Sequence, residues 1–148
     1  MELKKIFKKK TKVIIDTNFL MLPGGQGIDI FTEIPRLIND SIQMCVVEST
    51  LWELQRIIDG TAKSRTKKNK IKGSDKFNAK LGFILAKQKD LKVLKNSNIT
   101  NYADEAILEF VNKNVIVATL DKQLQKKVLA KEGKIILVRQ GKKLELQE

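Results

Sequence analysis

Four acidic side chains lie at positions from which they could converge on one metal ion. Two of them directly follow strongly apolar runs, and the other two lie in the first turns of predicted helices. In an open parallel sheet, ligands bind beyond the carboxyl ends of the strands, so acids at these places share one rim. Carboxylate oxygens suit Mg²⁺, and a bound divalent cation activates water for attack on phosphorus. The four residues are Asp16, Glu53, Asp104 and Asp121.

Asp104 is the most informative of the four, because it lies on an apolar helix face. At about 100° per residue its direction falls between those of Leu108 and Val111, inside the apolar arc of its predicted helix. The neighbouring Glu105 points to the opposite side. A carboxylate on a core-facing arc is costly unless a cation or a hydrogen-bond donor meets it. Glu53 lies in a similar way on the margin of the apolar face of its own helix.

Each acid taken alone also has an ordinary structural explanation. Glu53 could close a capping box with Thr50, and Asp104 could favour its helix through the macrodipole. Asp16 and Asp121 could be turn or N-cap residues after strands. If all four acids had only these structural roles, however, their shared position at one edge of the sheet would be a coincidence. The joint pattern therefore favours a metal site.

The composition narrows the chemistry further. The 148 residues include no histidine, which excludes acid–base catalysis by a histidine pair, a Ser-His-Asp triad and histidine-ligated zinc. The single cysteine, Cys45, excludes an internal disulfide and a zinc site built from cysteines, and its apolar neighbours predict a buried strand thiol. An enzyme acting on phosphates would therefore depend on carboxylates and a metal.

The charge balance indicates a polyanionic partner. Lys and Arg number 29 against 17 Asp and Glu, giving a net charge of +12, which favours nucleic acid. The alternative is the lysine-rich surface of a heat-adapted protein. Basic residues concentrate in an N-terminal extension, residues 1–12, which contains the Lys4 to Lys12 cluster, and in a loop at residues 61–73. We predict that both segments contact nucleic acid. For the loop, the alternative is a solvated segment that contacts no partner. The loop's candidates for nucleic-acid contact are Lys63, Arg65, Lys67, Lys68, Lys70 and Lys72.

Strand and helix patterns alternate along the whole chain. Nearly continuous apolar strands separated by helices predict a parallel sheet covered on both faces, an α/β sandwich formed by one domain over residues 1–148. No apolar run approaches the roughly 20 residues that span a bilayer, so we expect a cytoplasmic protein with no membrane contact. Strands are predicted at KVIID, IQMCVVE, DLKVLK, NVIVAT and KIILV, with KLEL at an edge. Helices are predicted at residues 28–38, where Pro35 would bend the helix or mark a boundary, at 49–59 before Gly60, at 102–111 and at 122–131. A further helix is predicted from Ser74, with Phe77, Leu81, Ile84 and Leu85 on one face.

Four segments carry a family resemblance from residue 13 to about residue 138. They are VIIDTNFLML with Asp16 and Asn18, VVESTLWEL with Glu53, ADEAILEF with Asp104, and VIVATLDKQL with Thr119 and Asp121. In this order they resemble the PIN-domain family of metal-dependent nucleases. The likeness is greatest to small archaeal members similar to ribosomal-RNA-processing factors of the Fcf1 type and to VapC-like toxins.

The resemblance implies a three-layer α/β/α sandwich with a central, mainly parallel sheet. It also implies that the four acids bind Mg²⁺ or Mn²⁺, that Asn18 and Thr119 orient them, and that the chain cleaves single-stranded RNA, leaving 5′-phosphate and 3′-hydroxyl ends. The RNA partner would be single-stranded or structured ribosomal RNA. An antitoxin, a ribosome-assembly factor and a second copy of the chain are the alternatives for a protein partner. Glu105 stands where this subgroup often has a second Asp, and the lysine-rich insertion is not a general family feature.

Two other functions compete with the nuclease. The first is an RNA-binding ribosome-assembly module whose acidic metal site is weak or inactive, because all the acids can be present without useful turnover. The second is a phospho-receiver domain, which shares the α/β architecture and an acidic magnesium rim. That fold requires paired acids after its first strand, whereas here the first strand ends in Asp16, Thr17 and Asn18. We therefore rank the receiver domain last.

Overall fold

A computed structural model describes residues 10–62, 73–97 and 102–148. The described part contains alternating strands and helices, as the sequence pattern predicts, and none of its helices is long and apolar enough to cross a membrane. The strands are β1 (Thr11–Ile15), β2 (Ile42–Val47), β3 (Lys92–Leu94), β4 (Val115–Ala118), β5 (Lys134–Arg139) and β6 (Lys143–Gln147). The helices are α1 (Thr17–Leu20), α2 (Leu22–Gln26), α3 (Ile30–Leu37), α4 (Glu48–Asp59), α5 (Gly73–Gln88), α6 (Ala103–Phe110) and α7 (Lys122–Ala130).

The strands form one sheet in the order β3-β2-β1-β4-β5-β6. Strands β1 to β5 run parallel, and β6 pairs antiparallel with β5 at the edge, which confirms the predicted mainly parallel sheet and its edge strand. The chain order reverses at β1, whose neighbours are β2 on one side and β4 on the other. Such a switch point opens a crevice beyond the carboxyl ends of the strands, where ligands bind in open α/β sheets. Asp16 directly follows β1 at this place.

Successive residues of β1 supply two separate hydrophobic cores, because neighbouring side chains on a strand point to opposite faces. Val13 and Ile15 pack with residues of α1, α3 and α4 on one face. Ile14 packs with Ile107 of α6 and Leu124 of α7 on the other face. The sheet is therefore the middle layer of a three-layer α/β/α sandwich, as expected. The thiol of Cys45 in β2 is fully buried, as predicted.

The start of α4 differs from the predicted capping box. Strand β2 runs straight into the helix, which begins at Glu48 after Val47, so Thr50 lies inside the helix instead of at its N-cap. The capping box of Thr50 with Glu53 is therefore wrong. Both Ser49 and Thr50 are buried, and the Thr50 hydroxyl has no hydrogen-bond partner among the described residues. The helix ends at Gly60, as predicted, in the left-handed conformation with φ of 73°.

Helix α5 packs through a face that hydrophobic periodicity did not indicate. The predicted apolar face includes Phe77 and Ile84, but these side chains are 65% and 42% exposed. The helix instead buries small residues, among them Ala79 and Gly82. A Cβ atom at Gly82 would lie 2.5 Å from the backbone oxygen of Leu20, so the small face lets α5 approach α1 closely. Close backbone approach, rather than side-chain size, decides which face packs here.

Candidate metal-binding and catalytic site

The carboxylate of Asp16 is held by two hydrogen bonds at the end of β1. The hydroxyl of Thr119 donates to Oδ2 at 2.7 Å, and the backbone N–H of Thr17 donates to Oδ1 at 2.9 Å. The backbone N–H of Asp16 donates to the oxygen of Ala118, which extends the pairing of β1 with β4 by one residue. Only 6% of Asp16 is exposed, so the sheet itself places this acid at the rim and buries it.

The environment of Asp16 makes its charged form costly. Burial raises the pKa of its carboxyl from the ordinary 3.8 to about 6, although the bonds from Thr119 and Thr17 act in the opposite direction. The nearby carboxylates of Glu53 and Asp121 raise this pKa further by like-charge repulsion. Three of the four predicted acids are therefore close enough to interact electrostatically, at the rim where the sequence pattern put them.

Glu53 joins three elements through its two carboxylate oxygens. The hydroxyl of Thr17 in α1 donates to Oε2 at 2.6 Å, and the backbone N–H of Ala103 in α6 donates to Oε1 at 3.0 Å. Glu53 itself lies on α4 and is half-buried. Its carboxylate thus contacts the amino ends of two other helices, which is consistent with favourable interaction of an anion with helix N-termini.

Asp121 caps α7 and is tied to Asp16 through one hydroxyl. Its Oδ1 accepts from the backbone N–H groups of Gln123 at 2.9 Å and Leu124 at 3.2 Å. Its own N–H donates to the Thr119 hydroxyl at 3.1 Å, and that hydroxyl donates onward to Asp16. Thr119 therefore contacts both acids; that it orients metal ligands, as the resemblance implied, stays a prediction. Asp121 is an N-cap residue, but the cap uses one carboxylate oxygen and leaves the metal-site hypothesis open.

The remaining predicted residues lie on α6 and α1. Asp104 is half-buried in the first turn of α6, next to Ala103, and Glu105 is exposed, as its direction on the helix indicated. Asn18 is exposed on α1. Its neighbour Thr17 links two of the acids, through its backbone N–H to Asp16 and its hydroxyl to Glu53, and was not among the residues predicted from the sequence. Its position between Asp16 and Asn18 was the signal available.

A family model described as "PIN like domain" matches residues 13–141. The chain belongs to this family. Among its relatives, "Ribonuclease VapC4" of Methanocaldococcus jannaschii is 36% identical over 137 residues, which cover 91% of this chain and 95% of that protein. A solved structure titled "Structure of the PIN domain endonuclease Utp24" superposes with a TM-score of 0.69 at 23% identity, covering 91% of this chain and 90% of that one. The structural likeness confirms the PIN fold.

In this PIN-like chain the acids do not form a closed metal cage. Within residues 10–62, 73–97 and 102–148, no group of three or more Asp, Glu or Cys side chains is arranged to hold a metal ion. Each hydrogen bond described above occupies one lone-pair direction of a carboxylate that has about four. The arrangement can therefore offer oxygen ligands from separate elements, together with waters, to an ion approaching from the rim.

The predicted nucleic-acid contacts of the loop lie outside the described residues. This applies to the loop positions selected by their charge, and to the N-terminal basic residues before residue 10. Their role stays a prediction that rests on sequence and charge. The positions concerned are Lys63, Arg65, Lys67, Lys68, Lys70 and Lys72.

Proposed function

We propose that this chain is an endoribonuclease that requires a divalent cation and cleaves single-stranded RNA by hydrolysis. The observation that carries the proposal is the buried Asp16 carboxylate, held by Thr119 and Thr17 at the switch point of the sheet. A carboxylate whose pKa is raised by burial and by two nearby acids, at a crevice where ligands bind, is a candidate for a functional site. The nearly full-length relative named a ribonuclease supports the same activity.

The residues present fit Mg²⁺ or Mn²⁺. The donors are carboxylate oxygens at the end of β1, on α4, on α6 and at the N-cap of α7, and positive charge relieves the repulsion of Asp16 by Glu53 and Asp121. Mg²⁺ keeps several waters and is usually bound through one or two carboxylates plus substrate phosphate, so an open set of acids suits it better than a cage. Asp16, Glu53, Asp104 and Asp121 would hold the ion, and Asp16 is the most buried of the four, with two hydrogen bonds that fix its orientation.

The chain's own groups would prepare the site in three ways. Thr119 fixes the carboxylate plane of Asp16, and Glu53 ties α1 to α6, which carries Asp104. The basic segments would bind the RNA backbone and bring the scissile phosphate to the acidic rim, which by itself repels phosphate. When bound, a divalent cation supplies positive charge to that phosphate and activates water for attack at phosphorus. The products would carry 5′-phosphate and 3′-hydroxyl ends.

We also propose a biological setting. Ribosomal-RNA processing and a toxin role use the same chemistry, and the near full-length match to a protein named VapC favours the toxin role, with an antitoxin as partner. The open arrangement of acids favours the second candidate function, an RNA-binding ribosome-assembly module with a weak or inactive metal site. Measured RNA cleavage separates the nuclease, in either biological role, from the binding module, because the module would bind RNA without cleaving it.

The deciding experiment measures cleavage of a labelled single-stranded RNA with Mg²⁺, with Mn²⁺ and with EDTA. We expect wild-type activity only with metal, and a loss on the order of 100-fold or more in Asp16→Asn and in Asp104→Asn, because each removes charge from the site. Asp59→Asn is the matched control, since Asp59 is an exposed acid on α4. Cleavage in EDTA, or full activity in both site variants, would exclude this mechanism. Metal-independent RNA binding without cleavage would support the ribosome-assembly module.

A further inference from the structure

Thr17 contacts two acids of the candidate site through two different groups. Its backbone N–H donates to Asp16, and its hydroxyl donates to Oε2 of Glu53 at 2.6 Å. Thr17 is 5% exposed and Glu53 is half-buried, so the bond is partly shielded from water, and a hydrogen bond to a charged carboxylate is stronger than one between neutral groups. Thr17 and Glu53 are 36 residues apart in sequence, and the bond therefore joins α1 to α4 directly.

The same carboxylate extends the connection to a third helix. Oε1 of Glu53 accepts the N–H of Ala103, the first residue of α6. Asp104, another predicted ligand, is the next residue of that helix. Two hydrogen bonds to Glu53 therefore connect three helices. They are α1, which follows Asp16, α4, which carries Glu53, and α6, which carries Asp104.

Repulsion between Glu53 and Asp16 explains why a hydrogen-bond donor to Glu53 matters. Glu53 repels Asp16, and Glu53 is only half-buried, so a Glu53 side chain without a fixed donor would lower its energy by turning to water. The Thr17 hydroxyl opposes that movement, because it offers a short bond on the side of Asp16. Together with the Ala103 N–H, it keeps the Glu53 carboxylate near Asp16.

We propose that Thr17 is a positioning residue of the metal site. Its hydroxyl holds Glu53, and through Glu53 the amino end of α6, so that acids from α4 and α6 face the same place as Asp16. This inference rests on the proposed function, because it assigns Thr17 a part in cation binding. Thr17 does not touch the cation or the RNA in this role.

The test compares Thr17→Val with Thr17→Ser and uses Thr50→Val as a matched control. Thr50 is also a buried helical threonine, but its hydroxyl has no hydrogen-bond partner among the described residues. Mn²⁺ affinity is measured without RNA by titration calorimetry, and exchange of the Ala103 amide proton is followed by NMR in EDTA. We expect Thr17→Val to weaken Mn²⁺ binding by roughly 10-fold or more, as for other residues that orient metal ligands, and to speed the amide exchange. Thr17→Ser should restore both values, and Thr50→Val should change neither.

The outcomes separate this inference from the proposed function. Wild-type chain that binds Mn²⁺ and cleaves RNA, with unchanged affinity in Thr17→Val, would overturn the role of Thr17 and leave the nuclease intact. Equal losses in Thr17→Val and Thr50→Val would overturn it too, since they would reflect general packing. Wild-type chain that binds no Mn²⁺ would overturn both proposals.

Discussion

Replacing Asp16 by asparagine should stabilise the metal-free chain at neutral pH while removing a ligand of the proposed metal site. Burial raises the pKa of this carboxyl to about 6, so between pH 3.8 and about 6 the folded state holds a proton that the unfolded state releases. The contribution of Asp16 to the free energy of unfolding therefore falls as pH rises through this window and stays constant above it. At about 1.4 kcal/mol per pKa unit, the total loss is about 3 kcal/mol.

Asparagine avoids this loss because it is neutral at every pH and keeps the shape of the side chain. Its Oδ1 can still accept the N–H of Thr17, and its Nδ2 can donate to the Thr119 hydroxyl, which has a second lone pair. Asp16→Asn should therefore unfold with a free energy up to about 3 kcal/mol above wild type at about pH 8, and with no gain below about pH 4.

The assay is urea unfolding in EDTA across this pH range, followed by the fluorescence of Trp52, the single tryptophan. The difference between wild type and variant is the measured quantity, since it cancels the other titrating groups. Asp59→Asn, at an exposed acid, is the matched control for the loss of one negative charge. A variant that is less stable than wild type at about pH 8, or a gap that does not change with pH, would refute the reasoning. Excess Mg²⁺ should stabilise wild type, by about 2.7 kcal/mol at 100 times the dissociation constant, and leave the variant unchanged.

Three further outcomes are expected. Thr119→Val should lower the free energy of unfolding in urea by about 1–3 kcal/mol, because the Asp16 carboxylate loses a donor and the Asp121 N–H loses its acceptor. A smaller decrease in Thr119→Val than in Thr119→Ser would contradict this. Gly82→Ala should cost about 1–3 kcal/mol in the same assay, since its Cβ would meet the Leu20 oxygen at 2.5 Å, and a neutral effect would argue against the close helix contact. The slope of log RNA affinity against log salt concentration, measured in EDTA, should become less negative by about 2 when three lysines of the basic loop are changed to alanine. An unchanged slope would mean that these lysines make no contact with RNA phosphates. The three are Lys67, Lys68 and Lys70.

The elements that position Asp16 were predictable because local pattern determines them. Three aliphatic residues before Asp16 specify a buried strand, and a parallel sheet places the carboxyl end of every such strand at one rim. The outward direction of Glu105 and the helix stop at Gly60 followed from helical period and backbone conformation in the same way. Each of these features depends on residues within one or two turns of chain.

The features that the sequence did not reveal depend on contacts between distant segments. The bond from Thr17 to Glu53 exists because α1 and α4 meet in three dimensions, 36 residues apart. The packing face of α5 follows from backbone approach at Gly82, which side-chain hydrophobicity does not report. The capping box of Thr50 with Glu53 does not form, because β2 continues into α4 without a turn and the helix begins two residues before Thr50.

The structural and functional explanations of these acids are compatible. Asp16 caps α1 and Asp121 caps α7, yet each cap uses one oxygen of a group that has two. A capping bond also restricts the carboxylate, so that its other oxygen is held in a defined direction at no further entropic cost. The same hydrogen bonds that begin the helices would therefore preorganise the proposed metal ligands at the rim. This accounts for acids that the sequence patterns assign equally well to helix caps and to a metal site.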